Sequence, residues 1–139
     1  TACGNDFGFD VLYPRMVETL GRPGDVLIGI TTSGRSPNVV QALAAARRRG
    51  LVTMGFLGGS GRPALDECDL AFVVPSSDTA RIQEAHITAA HALAEMVEDR
   101  LIEIGHLHRE NSPFFLLNQR IDVSPCLLCC DEQVMVPSF

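Results

Sequence analysis

Residues 25–38 read DVLIGITTSGRSPN. The first six are an apolar run holding Val26, Ile28 and Ile30, entered from the turn residues GRPG at 21–24. β-branched residues bounded by turn signals mark a strand. The segment that follows, ITTSGRSPN at 30–38, opens a helix. Ser36 stands at its N-cap, and Pro37 takes the first helical position, where a missing N–H costs nothing. Gly34 lets the backbone turn tightly between the two elements. A strand that leaves through a Ser/Thr-rich turn into a helix places that turn at the carboxyl end of a sheet, where α/β proteins bind ligands.

The pattern repeats outward from this stretch. Residues 51–56, LVTMGF, and 69–75, DLAFVVP, are two further strand-like runs. Between them, Asn38 to Arg49 places Val39, Val40, Leu43, Ala44 and Ala46 on a helical stripe that Gly50 stops. Residues 79–103 form a long Ala-rich helix with Ile82, Ile87, Ala90, Leu93 and Val97 on one side, and 9–20 is amphipathic through Val11, Leu12, Met16 and Leu20. Strands alternating with helices indicate an α/β fold, a parallel sheet covered on both faces. Three strands are few for such a sheet. The chain also opens on a glycine-and-turn segment, so the reading expects N-terminal helices and first strands to be missing and a sheet edge to be left unpaired. Residues 106–139 show no sustained period, which places a boundary near 105: a partial domain over 1–105 and a C-terminal extension over 106–139. That tail reads as a docking strand, a linker, or frameshift readthrough.

Composition narrows the function. The 139 residues suit one domain, and 46% hydrophobic with 20% charged is a globular balance. All 11 basic residues are Arg, so no lysine Schiff base and no P-loop lysine is available. A net charge of −6 argues against nucleic acid as partner. No apolar run approaches the roughly 20 residues of a membrane helix. The opening TACGNDFGFD has no signal-peptide character, and the expected compartment is the cytoplasm. Cys126, Cys129 and Cys130, with His106 and His108 upstream, offer only one C-x2-C pair, which fits chance clustering better than a structural zinc site.

Two groups of residues carry chemistry. Thr31, Thr32, Ser33 and Ser36 surround the turn with hydroxyls, and free N–H groups with the helix dipole favour an anion there by about 0.3–1 kcal/mol. An ordinary capped strand-to-helix turn accounts for the same residues. On the long helix, Gln83 and His91 are separated by about 12 Å along the axis and by roughly 80° around it, so both can border one broad cleft. His86 lies roughly 140° from His91 and faces elsewhere. A histidine on an Ala-rich helix is commonly a packing residue. Asp78 or Thr79 caps this helix, and Asn5 with Asp6 suits a turn.

Three segments in order, GNDFGFD at 4–10, GDVLIGITTSGRSPNVVQAL at 24–43 and SSDTARIQEAH at 76–86, resemble the sugar isomerase (SIS) domain and, within it, the phosphoheptose isomerase family. The resemblance runs over roughly residues 3–103. It implies a flavodoxin-like sheet and conversion of sedoheptulose 7-phosphate to D-glycero-D-manno-heptose 7-phosphate, the first step toward activated heptose for surface polysaccharide such as lipopolysaccharide. By the same resemblance Thr31, Thr32, Ser33 and Ser36 hold the substrate phosphate, with Thr31 where relatives often carry Ser. Asn5, Asp6 and Gln83 contact substrate, His91 transfers the proton, and Gln83 with His91 contributes to a zinc site. Aldose–ketose isomerisation through an enediol needs an acid and a base near the working pH, which suits histidine. The resemblance further implies a homotetramer with sites built between subunits. The family's partner base is a glutamate in an N-terminal region without counterpart here, so the chain alone is expected to be catalytically incomplete. Two rivals share the motifs: a non-enzymatic SIS protein that binds the replication initiator DnaA, and a sugar-phosphate-sensing SIS module. His91 together with Asp78 and Thr79 favours the isomerase.

Overall fold

Three parallel strands form the sheet of the computed structural model, which describes residues 2–108 and 110, and the backbone of 134–135. Helix α1 (Ala2–Phe7) leads through a turn at Phe9–Val11 into α2 (Leu12–Leu20). Strand β1 (Val26–Thr31), helix α3 (Pro37–Arg48) and strand β2 (Val52–Gly58) follow as one βαβ unit. A short 3₁₀ turn at Ala64–Glu67 precedes β3 (Leu70–Val74), and α4 (Thr79–Glu103) closes the series. The three parallel strands and helices α2, α3 and α4 lie within about three residues of their expected places, because glycine or proline punctuates nearly every junction, whereas α1 is a helix where a glycine-and-turn segment was expected.

The sheet order is β3-β2-β1-β4. Strand β4, Val134–Met135, pairs antiparallel with β1 opposite Gly29 and Ile28. The edge of β1 therefore carries a partner over two residues, where an unpaired sheet edge was expected, and the rest of the tail lies outside the described residues. Cys126, Cys129 and Cys130 lie outside the described residues. The described residues divide into two compact units, 2–86 with 134–135, and 87–108 with 110, the division falling within α4.

In the first unit, Leu27 and Thr31 of β1 and Thr53 and Leu57 of β2 are buried on one face of the sheet. Val39, Ala42, Leu43, Ala45 and Ala46 of α3 cover that face, and Val17 of α2 joins the same core. Two expected stripe residues, Val40 and Ala44, are only half-buried, whereas Ala42 and Ala45 are fully inside. The shift arises because α3 packs against both the sheet and α2, which widens its buried side beyond a single stripe. Its C-terminus is closed by Gly50 N–H to the Arg47 carbonyl and Leu51 N–H to the Ala46 carbonyl, each at 3.0 Å. These two bonds satisfy carbonyls that the helix leaves open.

The opposite face of the sheet is more sparsely covered. Leu70 remains 58% and Phe72 39% exposed. The first two turns of α4 bring Ile82 and His86 onto it, with the His86 ring edge-on to Phe56 and Phe72 at 5.9 and 6.3 Å between centroids. Beneath β2, the Thr53 N–H donates to Asp69 Oδ2 at 2.8 Å and holds the start of β3 in register. In the second unit α4 continues to Glu103 and is closed by Gly105 and His106, whose N–H groups bond the Ile102 and Leu101 carbonyls. His106 and His108 are exposed.

Leu43 is fully buried between α3 and the sheet. Leu43→Ala is expected to lower the unfolding free energy by about 2–5 kcal/mol, read from the denaturant midpoint at unchanged slope. Stability is also expected to fall toward acid pH. Burial holds His86 below its ordinary 6.5, and hydrogen bonds from Thr53 hold Asp69 below its ordinary 3.8. Both groups bind protons more readily in the unfolded chain. The His86 contribution is complete above pH 6.5 and is lost as pH falls through its lowered folded value; that of Asp69 is complete above 3.8 and is lost below it. Melting temperature followed from about pH 7.5 to 5 checks the first part: His86→Gln should flatten the decline relative to wild type.

Candidate functional site

Strand β1 ends on Thr31, which is 1% exposed. Its Oγ1 lies 2.9 Å from Ser36 Oγ and 3.3 Å from Ser33 Oγ, so one buried hydroxyl ties both limbs of the loop together. Ser33 Oγ accepts the Arg35 N–H at 3.1 Å. Ser36 occupies the N-cap position, as its place before Pro37 predicts, but its side chain makes no capping bond. It turns back to Thr31 instead. The reason is local: Pro37 has no N–H to offer, and the buried Thr31 hydroxyl needs a partner. Asn38 Oδ1 accepts the Val39 N–H at 2.9 Å, while no described group reaches its buried Nδ2. The exposed Arg35 guanidinium carries no ion pair among the described residues and stands at the loop tip.

A second loop, LGGSGRPA at 57–64, braces the first. Gly34 has φ +67°, and a Cβ there would come within 2.5 Å of the Gly61 carbonyl carbon. The Ala64 N–H donates to the Gly34 carbonyl at 3.0 Å. Gly58 is tighter still: a Cβ would overlap the Thr32 carbonyl oxygen and approach Ile82 Cδ1 to 2.7 Å. Sequence reasoning passed over this loop and over Arg35. The signal was present in three glycines and a proline directly after a strand, the composition of a backbone that must approach another closely.

Helix α4 begins against this junction. Asp78 Oδ1 accepts the Ala80 N–H at 2.9 Å and the Arg81 N–H at 3.4 Å, so Asp78 is the cap and Thr79 the first helical residue. Arg81 pairs with Glu84 on the exposed side at 2.6 Å. Ile82 packs at Gly58, and the half-buried Gln83 follows it, so the helical turn that carries Gln83 abuts the cradle loop. Of the expected substrate contacts, Thr31, Thr32, Ser33 and Ser36 therefore share one loop, and Gln83 stands on the turn beside it. Asn5 and Asp6 do not sit in a turn: both are exposed on α1, joined to each other at 3.3 Å, and no hydrogen bond ties either to the cradle. His91 is exposed on α4 in the second unit.

The expected zinc meets a shortage of donors. Zinc takes three or four protein ligands, whereas Gln83 and His91 are two. Among the described residues no three His, Cys, Asp or Glu side chains come together. The residues described do not by themselves form a zinc site. Cys68 supplies no reactive thiolate, because burial, reinforced by Asp69 and Glu67, pushes its thiol up to about 11. What the loop can do is receive an oxyanion: it presents hydroxyls, the positive end of a twelve-residue helix and one unpaired guanidinium. No described helix is long and apolar enough to cross a membrane.

Comparison with known proteins matches this architecture. The SIS domain family matches residues 2–58. Phosphoheptose isomerase of Roseiflexus sp. is 53% identical over 103 residues, 74% of this chain and 52% of its own length. That of Pelobacter propionicus is 55% identical over 101 residues, 73% of this chain and 53% of its own. Among solved structures, phosphoheptose isomerase GmhA from Neisseria gonorrhoeae superposes with a TM-score of 0.67 at 42% identity, over 69% of this chain and 55% of that one. A phosphoheptose isomerase from Francisella tularensis gives 0.68 at 34% identity, over 70% and 55%. The chain spans about half the length of the relatives it matches. Over the part they share, the chain is similar in sequence and in fold to SIS-domain phosphoheptose isomerases.

Proposed function

We propose that this chain carries the sugar-phosphate-binding half of a phosphoheptose isomerase, acting between sedoheptulose 7-phosphate and D-glycero-D-manno-heptose 7-phosphate. The observation that carries the reading is the hydroxyl cradle at the N-terminus of α3, with the Gln83 turn of α4 seated beside it. A phosphate dianion entering the loop meets Thr31, Thr32, Ser33 and Ser36, the first N–H groups of α3 and the Arg35 charge, each a donor suited to phosphate oxygens. Gln83, with both an amide donor and an acceptor, suits the hydroxyls of the attached sugar.

Isomerisation moves a proton between neighbouring carbons through an enediol. It needs one group that takes the proton and returns it, and another that serves the oxygens. His91 is assigned the proton transfer, since an imidazole ring can both take up and deliver a proton. The partner carboxylate is expected from outside the described residues, as is at least one further ligand if zinc joins Gln83 and His91. The homotetramer that the resemblance implies is the natural source of both. A doubly charged sugar phosphate does not cross a bilayer unaided, which supports the cytoplasm as the compartment and heptose supply for surface polysaccharide as the role.

Isothermal titration of the 139-residue chain with sedoheptulose 7-phosphate tests the binding part. Saturable binding is expected, with Ser33→Ala weakening it about 5–10-fold, the loss of one hydrogen bond to a charged group. No binding, or binding indifferent to Ser33, would remove the reading. Turnover followed by NMR of the substrate carbons tests the rest. The chain alone is expected to turn over poorly. In assembled protein carrying the partner base, His91→Ala is expected to cost about 100-fold or more in rate while phosphate affinity stays within about twofold.

A further inference from the structure

His86 is a buried histidine to which the proposed function gives no task. It is 5% exposed, held edge-on between Phe56 and Phe72, with Nε2 3.2 Å from the Leu57 carbonyl oxygen. A carbonyl only accepts, so Nε2 carries the hydrogen and the ring is the neutral Nε2–H tautomer. Nδ1 is then an acceptor, buried where no described group reaches it. A site that asked only for packing would be better filled by Leu or Phe, which bury no unpaired acceptor. The histidine therefore earns its place through the bond it makes at Nε2.

That bond has a specific location. Leu57 directly precedes Gly58, the residue whose missing Cβ lets the Thr32 carbonyl and Ile82 come together. Gln83 precedes His86 by three positions, which makes the two neighbours on the surface of α4. A hydrogen bond from His86 to the C-terminal end of strand β2 thus fixes the height and rotation of α4 at the level where Gln83 stands beside the cradle. We infer that His86 is a positioning residue, whose Nε2–H to the Leu57 carbonyl sets Gln83 against the sugar end of a ligand held in the cradle. The inference rests on the reading that the cradle and Gln83 serve one sugar phosphate.

Two variants separate positioning from packing. His86→Leu keeps apolar bulk and removes the donor, while His86→Gln keeps an N–H donor at comparable reach. Each is titrated with inorganic phosphate and with sedoheptulose 7-phosphate, beside wild type. The expected result is a sugar-phosphate affinity about tenfold weaker in His86→Leu, inorganic phosphate within about twofold of wild type, and recovery in His86→Gln to within about threefold. A parallel loss for both ligands, no loss for either, or a Gln variant no better than Leu overturns the inference. Amide hydrogen exchange over residues 80–86 provides a readout that needs no ligand. Protection there should drop in His86→Leu and return in His86→Gln, with α3 unchanged. Equal protection in all three proteins overturns the inference too. If wild type binds inorganic phosphate but gains nothing from the sugar, the proposed function fails, and the exchange data still decide the anchoring of α4.

Discussion

Gly58 is the point on which the rest of the site depends. The end of β2, the Thr32 carbonyl from the loop after β1, and Ile82 from the first turn of α4 meet there at a separation that no side chain permits. Remove that close approach and the three parts lose their common reference. The cradle loop would lift from the sheet and α4 would start from a different height. The neighbouring Gly34–Gly61 contact repeats the constraint one loop further on, with backbone against backbone. Such contacts are stiff because no rotamer can yield, and stiffness at a ligand loop reduces what binding must spend on ordering it.

The electrostatics of the chain run opposite to its proposed ligand. A net charge of −6 repels a dianion at long range, yet the Debye length of about 8 Å in physiological salt confines that repulsion. Within the loop the balance is local: it combines hydroxyls, the N-terminal end of a helix and the Arg35 charge. Several of the arginines elsewhere on the surface are matched by carboxylates, as in Arg47 with Glu67, Arg48 with Glu18 and Arg62 with Asp66. Charge is thus spent on the surface pairs and left available at the loop.

How far all this was legible depends on which interactions are local. The strands and helices could be read because β-branched runs and helical stripes end on glycine and proline, whose backbone preferences act within a few residues. The cradle residues were legible for the same reason: Thr31 through Pro37 is one continuous strand–turn–helix signal. The cap of α4 was legible only as Asp78 or Thr79, and the bonds from the Ala80 and Arg81 N–H groups decide for Asp78. What escaped was set by distant partners. Ser36 sits where a cap belongs, but its hydroxyl is claimed by Thr31 from the preceding strand. Val40 and Ala44 lost their core places to Ala42 and Ala45 because α2 arrives from another part of the chain. The bracing of Gly34 by Gly61 and the pairing of β4 with β1 join residues far apart in sequence, and no periodicity announces either. Asn5 and Asp6 were read as substrate contacts by resemblance and as turn residues by type, and they lie instead on helix α1.

The hydroxyls of the cradle are not idle before a ligand comes. Thr31 is already bonded to Ser33 and Ser36, and Ser33 to the Arg35 N–H. An anion can recruit these protons only by outcompeting the bonds they make with one another, so occupancy is an exchange of partners instead of a simple gain. A weak acceptor such as chloride offers too little in that exchange. A phosphate monoester, with three strongly basic oxygens, offers enough. For the phosphate proposed to sit here, the internal network would set a threshold on ligand basicity: as the dianion takes up a proton, its claim on these hydroxyls weakens.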